Sequence, residues 1–330
     1  MMNTFTDKNQ DKRTEGKNGD VTILCVKHVV KAQSVSEGAG VLVHRAFPTA
    51  QIDYLDPFLL LDEMGPTNFR PNTAKGFPDH PHKGFETVTY LLEGAMRHSD
   101  SAGNEGFLRP GDVQWMTAGR GIVHSEMPDP QFAQNGGLMH GFQLWVNLPR
   151  KDKLVPPRYQ DLPAEKVPGA VSPDGLVTVK VIAGEALGVV APIETHTKIM
   201  YLHFSLKPGA SFVQPIDAGF NTIAYVIAGE ANFAGPGQGL NKTARAGHLV
   251  IFERTGSSGA AQDQVQRSAE KAAVSFSCDT AEGMELLLIA GEPIAEPVAR
   301  YGPFVMNTKA EILEAMEQYQ NGQLGRIARQ

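Results

Sequence analysis

Four side chains stand out as chemistry-bearing: His80 and His82 on either side of Pro81, and His124 and Glu126 on either side of Ser125. In extended backbone, residues at i and i+2 project to the same face. Each pair can therefore offer two ligands to one ion. Together the pairs supply three imidazole nitrogens and a carboxylate oxygen, which suits a divalent transition metal because imidazole is a borderline donor and one carboxylate lowers the charge. Iron(II) is the expected ion, with manganese, nickel and copper as alternatives. A six-coordinate ion held by four protein groups keeps two positions for water, a chelating substrate or dioxygen, as an oxygenase requires and a closed structural zinc site does not allow.

Glu86 is a rival for the oxygen ligand. It follows His82 by four residues and, on a regular strand, shares the face of both histidines. Spacing leaves Glu86 and Glu126 as alternatives. Whichever is not a ligand can hydrogen-bond a ligating imidazole and fix its tautomer. The other histidines read as structural or surface groups, except that His140 could approach the site from the core-like run 141–145.

The elements that must hold these residues are strands. Short apolar segments recur at 21–26, 40–45, 58–61, 87–92, 112–116 and 141–147, many of them β-branched or aromatic. A second series follows at 177–182, 199–206, 222–227, 248–252 and 285–289. Glycine (34) and proline (22) are abundant and punctuate turns rather than fill helices. Between the series, 149–168 holds Pro149, Pro156, Pro157, Pro163 and Pro168, a density that reads as an interdomain connection. The expected organisation is a disordered tail at 1–20, a metal-binding domain at 21–148, the proline-rich linker, and a second domain at 169–330. That second domain carries a terminal helix, started by the Thr308/Glu311 capping box, whose Ile312, Leu313, Met316 and Tyr319 pack on the protein.

The two series resemble each other. The run from Gly84 to Gly94 lies on the run from Gly219 to Gly229 with five identical positions, and Gly111 then corresponds to Gly247. A tandem duplication explains this. The alignment sets Pro215 on His80 and Asp217 on His82, and places the Gly/Ser/Ala/Gln-rich stretch 256–264 where His124 and Glu126 fall. One metal per chain is therefore expected.

Composition removes other classes. The net charge of −6 gives no cationic surplus for a phosphate backbone, so direct nucleic-acid binding is not expected. No apolar run approaches the ~20 residues of a membrane span. The N-terminus lacks a signal-peptide pattern, and Cys25 and Cys278 are too few for a disulfide framework, so the expected location is the cytoplasm.

At this point the motifs become recognisable. The runs from His80 to Tyr90, Gly111 to Gly119, Gly121 to Glu126 and Gln143 to Pro149 closely resemble the pirin family. The resemblance implies an all-β protein of two tandem cupin domains, jelly-roll β-barrels, with one iron in the first. The family's ligands map to His80, His82, His124 and Glu126, which leaves Glu86 beside them as a hydrogen-bonding partner. Some members open the flavonol quercetin with dioxygen; others are described as iron-dependent partners of regulatory proteins. On the enzyme reading, Glu126 is the candidate base, and Phe85, Met116, Phe142 and Trp145 are candidate apolar walls for a small aromatic substrate such as a flavonol. On the other, iron oxidation alters the surface shown to a protein partner.

Overall fold

Runs of β-branched and aromatic residues between glycine turns become strands in the computed structural model, which describes residues 21–235, 241–254 and 271–328. The tail expected at 1–20 lies outside the described residues. The strands build two cupin barrels, each with a seven-stranded sheet facing a smaller one. In the first, the large sheet runs Arg158–Leu162, Val113–Thr117, Phe85–Glu93, Gly137–Asn147, Phe58–Phe69, Val41–Phe47, Gln33–Glu37. The strands Phe77–His82, Ile122–Pro128, Met96–Asp100 and Glu105–Leu108 close it.

The second large sheet repeats the pattern: Val26–Lys31, His248–Phe252, Asn221–Ala228, Met284–Gly291, Ile199–Leu206, Val177–Ala183, Gly169–Val171. Registers match as well. Tyr90 stands opposite Phe142, and its aligned partner Tyr225 stands opposite Leu287. The outer faces of the two large sheets pack together, so Val88, Tyr90, Phe142 and Leu144 share one core with Tyr201, Ile223, Tyr225 and Leu287.

Three expectations need correction. Thr22–Ile23 and Val26–Lys31, assigned from sequence to the first domain, pair instead with Lys271–Ser277 and His248–Phe252 of the second barrel. In exchange, Phe304, Met306 and the terminal helix pack against Val123 of the first barrel, not on the second. Covering an exposed sheet edge decides such exchanges, and that edge is invisible along the chain. Thirdly, the proline-rich connection is not wholly irregular. Arg158–Leu162 lies between Pro157 and Pro163, contains no proline, and pairs with Val113–Thr117 as an edge strand.

The terminal helix spans Lys309–Gln320 and starts at Thr308 as its capping box predicts. The Thr308 hydroxyl accepts from Glu311 N, and Glu311 Oε2 accepts from Thr308 N at 2.8 Å. Its packed face is Ile312, Ala315 and Met316, while Leu313 and Tyr319 are exposed. Among the described residues, no helix is long and apolar enough to cross a membrane.

Candidate metal centre

Two adjacent antiparallel strands of the smaller sheet bring the histidines together. Ile122 lies opposite His82 and His124 opposite His80, so the i, i+2 pairs share a face and a register. One nitrogen from each of His80, His82 and His124 falls within a mutual 4.8 Å, and among the described residues no other trio of His, Cys, Asp or Glu gathers this way. His80 donates Nδ1–H to Pro78 O at 2.7 Å, which leaves its Nε2 a bare acceptor, 3.0 Å from His82 Nε2.

The nitrogens lack the partners that burial demands. Both ring nitrogens of His124 and Nδ1 of His82 are buried without a hydrogen bond. Burial, then the neighbouring imidazoles, pushes His82 and His124 well below the usual histidine range, holding them in the neutral form that coordinates metal. Converging neutral imidazoles with unspent lone pairs fit a transition-metal ion.

Glu126 lines the same cavity but does not fall within the mutual 4.8 Å of the three histidines. Its Oε1 lies 2.9 Å from the Thr89 hydroxyl, and a register shift after His124 sets where it projects. Opposite it stands His98, which sequence reading counted as structural. The His98 ring is 5.2 Å from that of His124, and its Nε2 contacts the Tyr159 hydroxyl at 2.9 Å. Nothing in the local spacing marks His98, because only the pairing of Met96–Asp100 with Ile122–Pro128 brings it here.

Glu86 does not join them. The chain turns at Gly84, whose φ of +86° favours glycine and where a Cβ would lie 2.0 Å from Val305 O. This break moves the chain from the small sheet into the large one and resets the alternation. Glu86 thus shares the outward face of Val88 and Tyr90, accepts from Thr117 Oγ1 at 2.7 Å, and has His196 and Arg158 as neighbours. Burial raises its carboxyl above the usual range.

A cavity of about 650 Å³ opens from the histidines, lined in part by His80, His82, Glu126, Gln143 and Trp145. Of the four expected aromatic and apolar walls, Trp145 lines it. Phe85 is buried behind, its ring 4.4 Å from Trp145 and 5.0 Å from His82. Met116 packs with Ala118 and Ile122 away from the lining, and Phe142 belongs to the interdomain core. His140 is also outward: a bulge precedes Gly141, and its Nε2 lies 2.9 Å from Glu63 Oε1. Sequence reading missed Arg300, Gly302 and Pro303, which reach the cavity through the C-terminal exchange.

In the second barrel, strand pairing replaces part of the sequence alignment. The stretch 256–264 lies outside the described residues, and the strand that pairs as Ile122–Pro128 does is Lys271–Ser277. Pro215 and Asp217 stand opposite Ala273 and Lys271, while Phe233 opposite Phe276 replaces His98 opposite Glu126.

Comparison with known proteins agrees with this architecture. Residues 40–146 match the Pirin family model, and 201–325 match the Pirin C-terminal cupin domain. A pirin-like protein of Solanum lycopersicum is 44% identical over 302 residues, covering 92% of this chain and 93% of that protein. Human pirin is 43% identical over 297 residues, covering 90% and 92%. A crystal structure of quercetin 2,3-dioxygenase from Acinetobacter baumannii superposes with a TM-score of 0.82 at 32% identity, covering 93% of this chain and 100% of that one. With both cupin domains matched and relatives similar along nine-tenths of its length, the chain belongs to the pirin family.

Proposed function

We propose that the protein is an iron(II)-dependent dioxygenase that opens a flavonol of the quercetin type, with one metal per chain held by His80, His82, His124 and Glu126. The observation that carries this reading is the set of buried, unpartnered imidazole nitrogens at the end of a cavity large enough for a small aromatic molecule. The similarity to a structure named quercetin 2,3-dioxygenase supports the substrate class. A divalent ion bound there would polarise a phenolic hydroxyl as a Lewis acid and make dioxygen chemistry accessible.

The chain's own residues supply position and proton handling. Glu126 takes the proton from the hydroxyl brought to the histidines, since its carboxylate faces the cavity beside them. Thr89 orients that carboxylate by donating its hydroxyl proton to Oε1. Trp145, fixed against Phe85 and His82, offers an aromatic surface for a planar ring. Leu59 and Leu60 complete an apolar wall that keeps water from the reacting atoms.

The test is a set of samples reconstituted with iron, manganese, nickel or copper and given quercetin under air. Oxygen uptake with a ring-opened product is expected; its absence with every metal sinks the reading. Tight iron binding without turnover would instead favour a redox-sensing role toward a protein partner, for which half-buried His80 and the rim residue Arg300 place the site close to the surface.

A further inference from the structure

The polar residues behind the metal centre fall on one line across the large sheet. In register, Arg45 faces Asp62, Asp62 faces Gln143, Gln143 faces Thr89, Thr89 faces Gln114, and Gln114 faces Asp161. The equivalent line of the second barrel reads Val181, Leu202, Leu288, Ala224, Val250 and Val29. The fold therefore closes without any polar group on this line. Burying Asp62 (5% exposed) and Thr89 (2%) carries a desolvation cost that the second barrel avoids.

Arg45, Asp62 and Gln143 line the same cavity as His80 and Glu126. Arg45 grips Asp62 with two bonds, Nε to Oδ1 at 2.9 Å and Nη2 to Oδ2 at 2.6 Å, and Glu37 holds the same guanidinium at 2.8 Å. The fork orients the Asp62 carboxylate while each oxygen keeps accepting capacity. The Thr89 hydroxyl, shared with Glu126 Oε1, lies 2.7 Å from Gln143 Oε1, which leaves the amide nitrogen of Gln143 for the cavity. Trp145, two residues on, shares its face.

We propose that Asp62 and Gln143, steadied by Arg45 and Thr89, form a strip that recognises the outer-ring hydroxyls of a polyhydroxylated aromatic ligand whose remaining hydroxyl meets the histidines. The inference rests on the proposed substrate class, though not on dioxygen chemistry. Buried hydrogen-bonding groups discriminate strongly against a ligand that leaves them unpaired, so this line sets selectivity among flavonols.

The experiment is anaerobic calorimetric titration of the metal-loaded protein with quercetin and with 3-hydroxyflavone, which keeps the metal-facing hydroxyl and lacks those on the outer rings. The intact protein is expected to prefer quercetin. In Gln143→Leu the affinity ratio is expected to fall by about tenfold, the worth of one hydrogen bond. In Arg45→Val combined with Asp62→Leu it is expected to fall by about tenfold or more, and removing both charges together leaves neither buried without its partner. Equal affinities in the intact protein, or an unchanged ratio in either variant, overturn the strip. Oxygen uptake on the same samples separates the two readings. Selective binding without consumption refutes the dioxygenase alone, consumption of both flavonols at equal affinity refutes the strip alone, and binding of neither refutes both.

Discussion

The two barrels share strand order and register and differ in what fills them. The first gathers His80, His82, His98, His124 and Glu126 beside a cavity. The second fills the matching space with phenylalanine: Phe276 packs 5.1 Å from Phe204, 6.0 Å from Phe212 and 6.3 Å from Phe233. One backbone plan thus carries a histidine cluster beside a cavity in one copy and a close-packed core in the other. The contrast teaches that the cupin barrel confers mounting geometry, while function lies in the side chains placed on it.

The seam between the barrels repeats the contrast on a smaller scale. Tyr225 donates to Glu63 Oε2 at 2.8 Å, and Glu63 Oε1 meets His140. At the equivalent place Tyr90 meets His203 Nδ1 at 2.9 Å, and His203 Nε2 lies 3.4 Å from Glu285. Register sets Glu63 on His203 and His140 on Glu285. The two clasps are therefore equivalent in position and reversed in acid and base. Each crosses the interface, so each barrel fixes the orientation of the other.

The largest expected effect is on metal content. Elemental analysis of the reconstituted protein should give one tightly held ion per chain, and His124→Ala should lose it while circular dichroism stays native, because the apolar cores do not rest on the ion. Two ions per chain would break the contrast between the barrels. In the second barrel, Phe276→Ala should cost about 3–5 kcal/mol in denaturant unfolding and leave metal content unchanged. A variant as stable as the parent would mean that the ring cluster is not the second barrel's core.

Smaller effects sharpen the comparison of the clasps. Tyr225→Phe, which removes a donor to a carboxylate, should cost about 2 kcal/mol, and Tyr90→Phe about 1 kcal/mol, read from chemical denaturation. Equal costs would deny the difference in acceptor charge. The smallest effect concerns Glu86, whose folded pKa is raised by burial. As pH rises, the unfolded carboxyl loses its proton first, so the parent loses stability as pH climbs through the folded pKa and is free of that loss below the unfolded value. Glu86→Gln does not titrate there. Thermal melts should show it more stable near neutrality by on the order of 1 kcal/mol, with the gain gone below about pH 4.

Much of the candidate site was legible because its signals are local. The i, i+2 histidine pairs needed only extended backbone, and Thr308 with Glu311 needed only one helical turn. Glu86 misled because alternation was carried through Gly84, where the strand breaks. His98, Asp62 and Gln143 gave no signal, since each joins the site by facing a residue on another strand. Neither could the chain announce that 22–31 completes the far barrel and 299–328 covers the near one.

By itself, the order of residues determined the strand-rich duplication, the histidine pairs and the capped terminal helix, because side-chain alternation, turn chemistry and capping act over a few neighbours. Only the tertiary structure decided which carboxylate faces the cavity, which imidazole stands beside the trio and which polar residues align behind it. Those choices depend on register between strands far apart in the chain, and a shift of one residue sends a side chain to the opposite face.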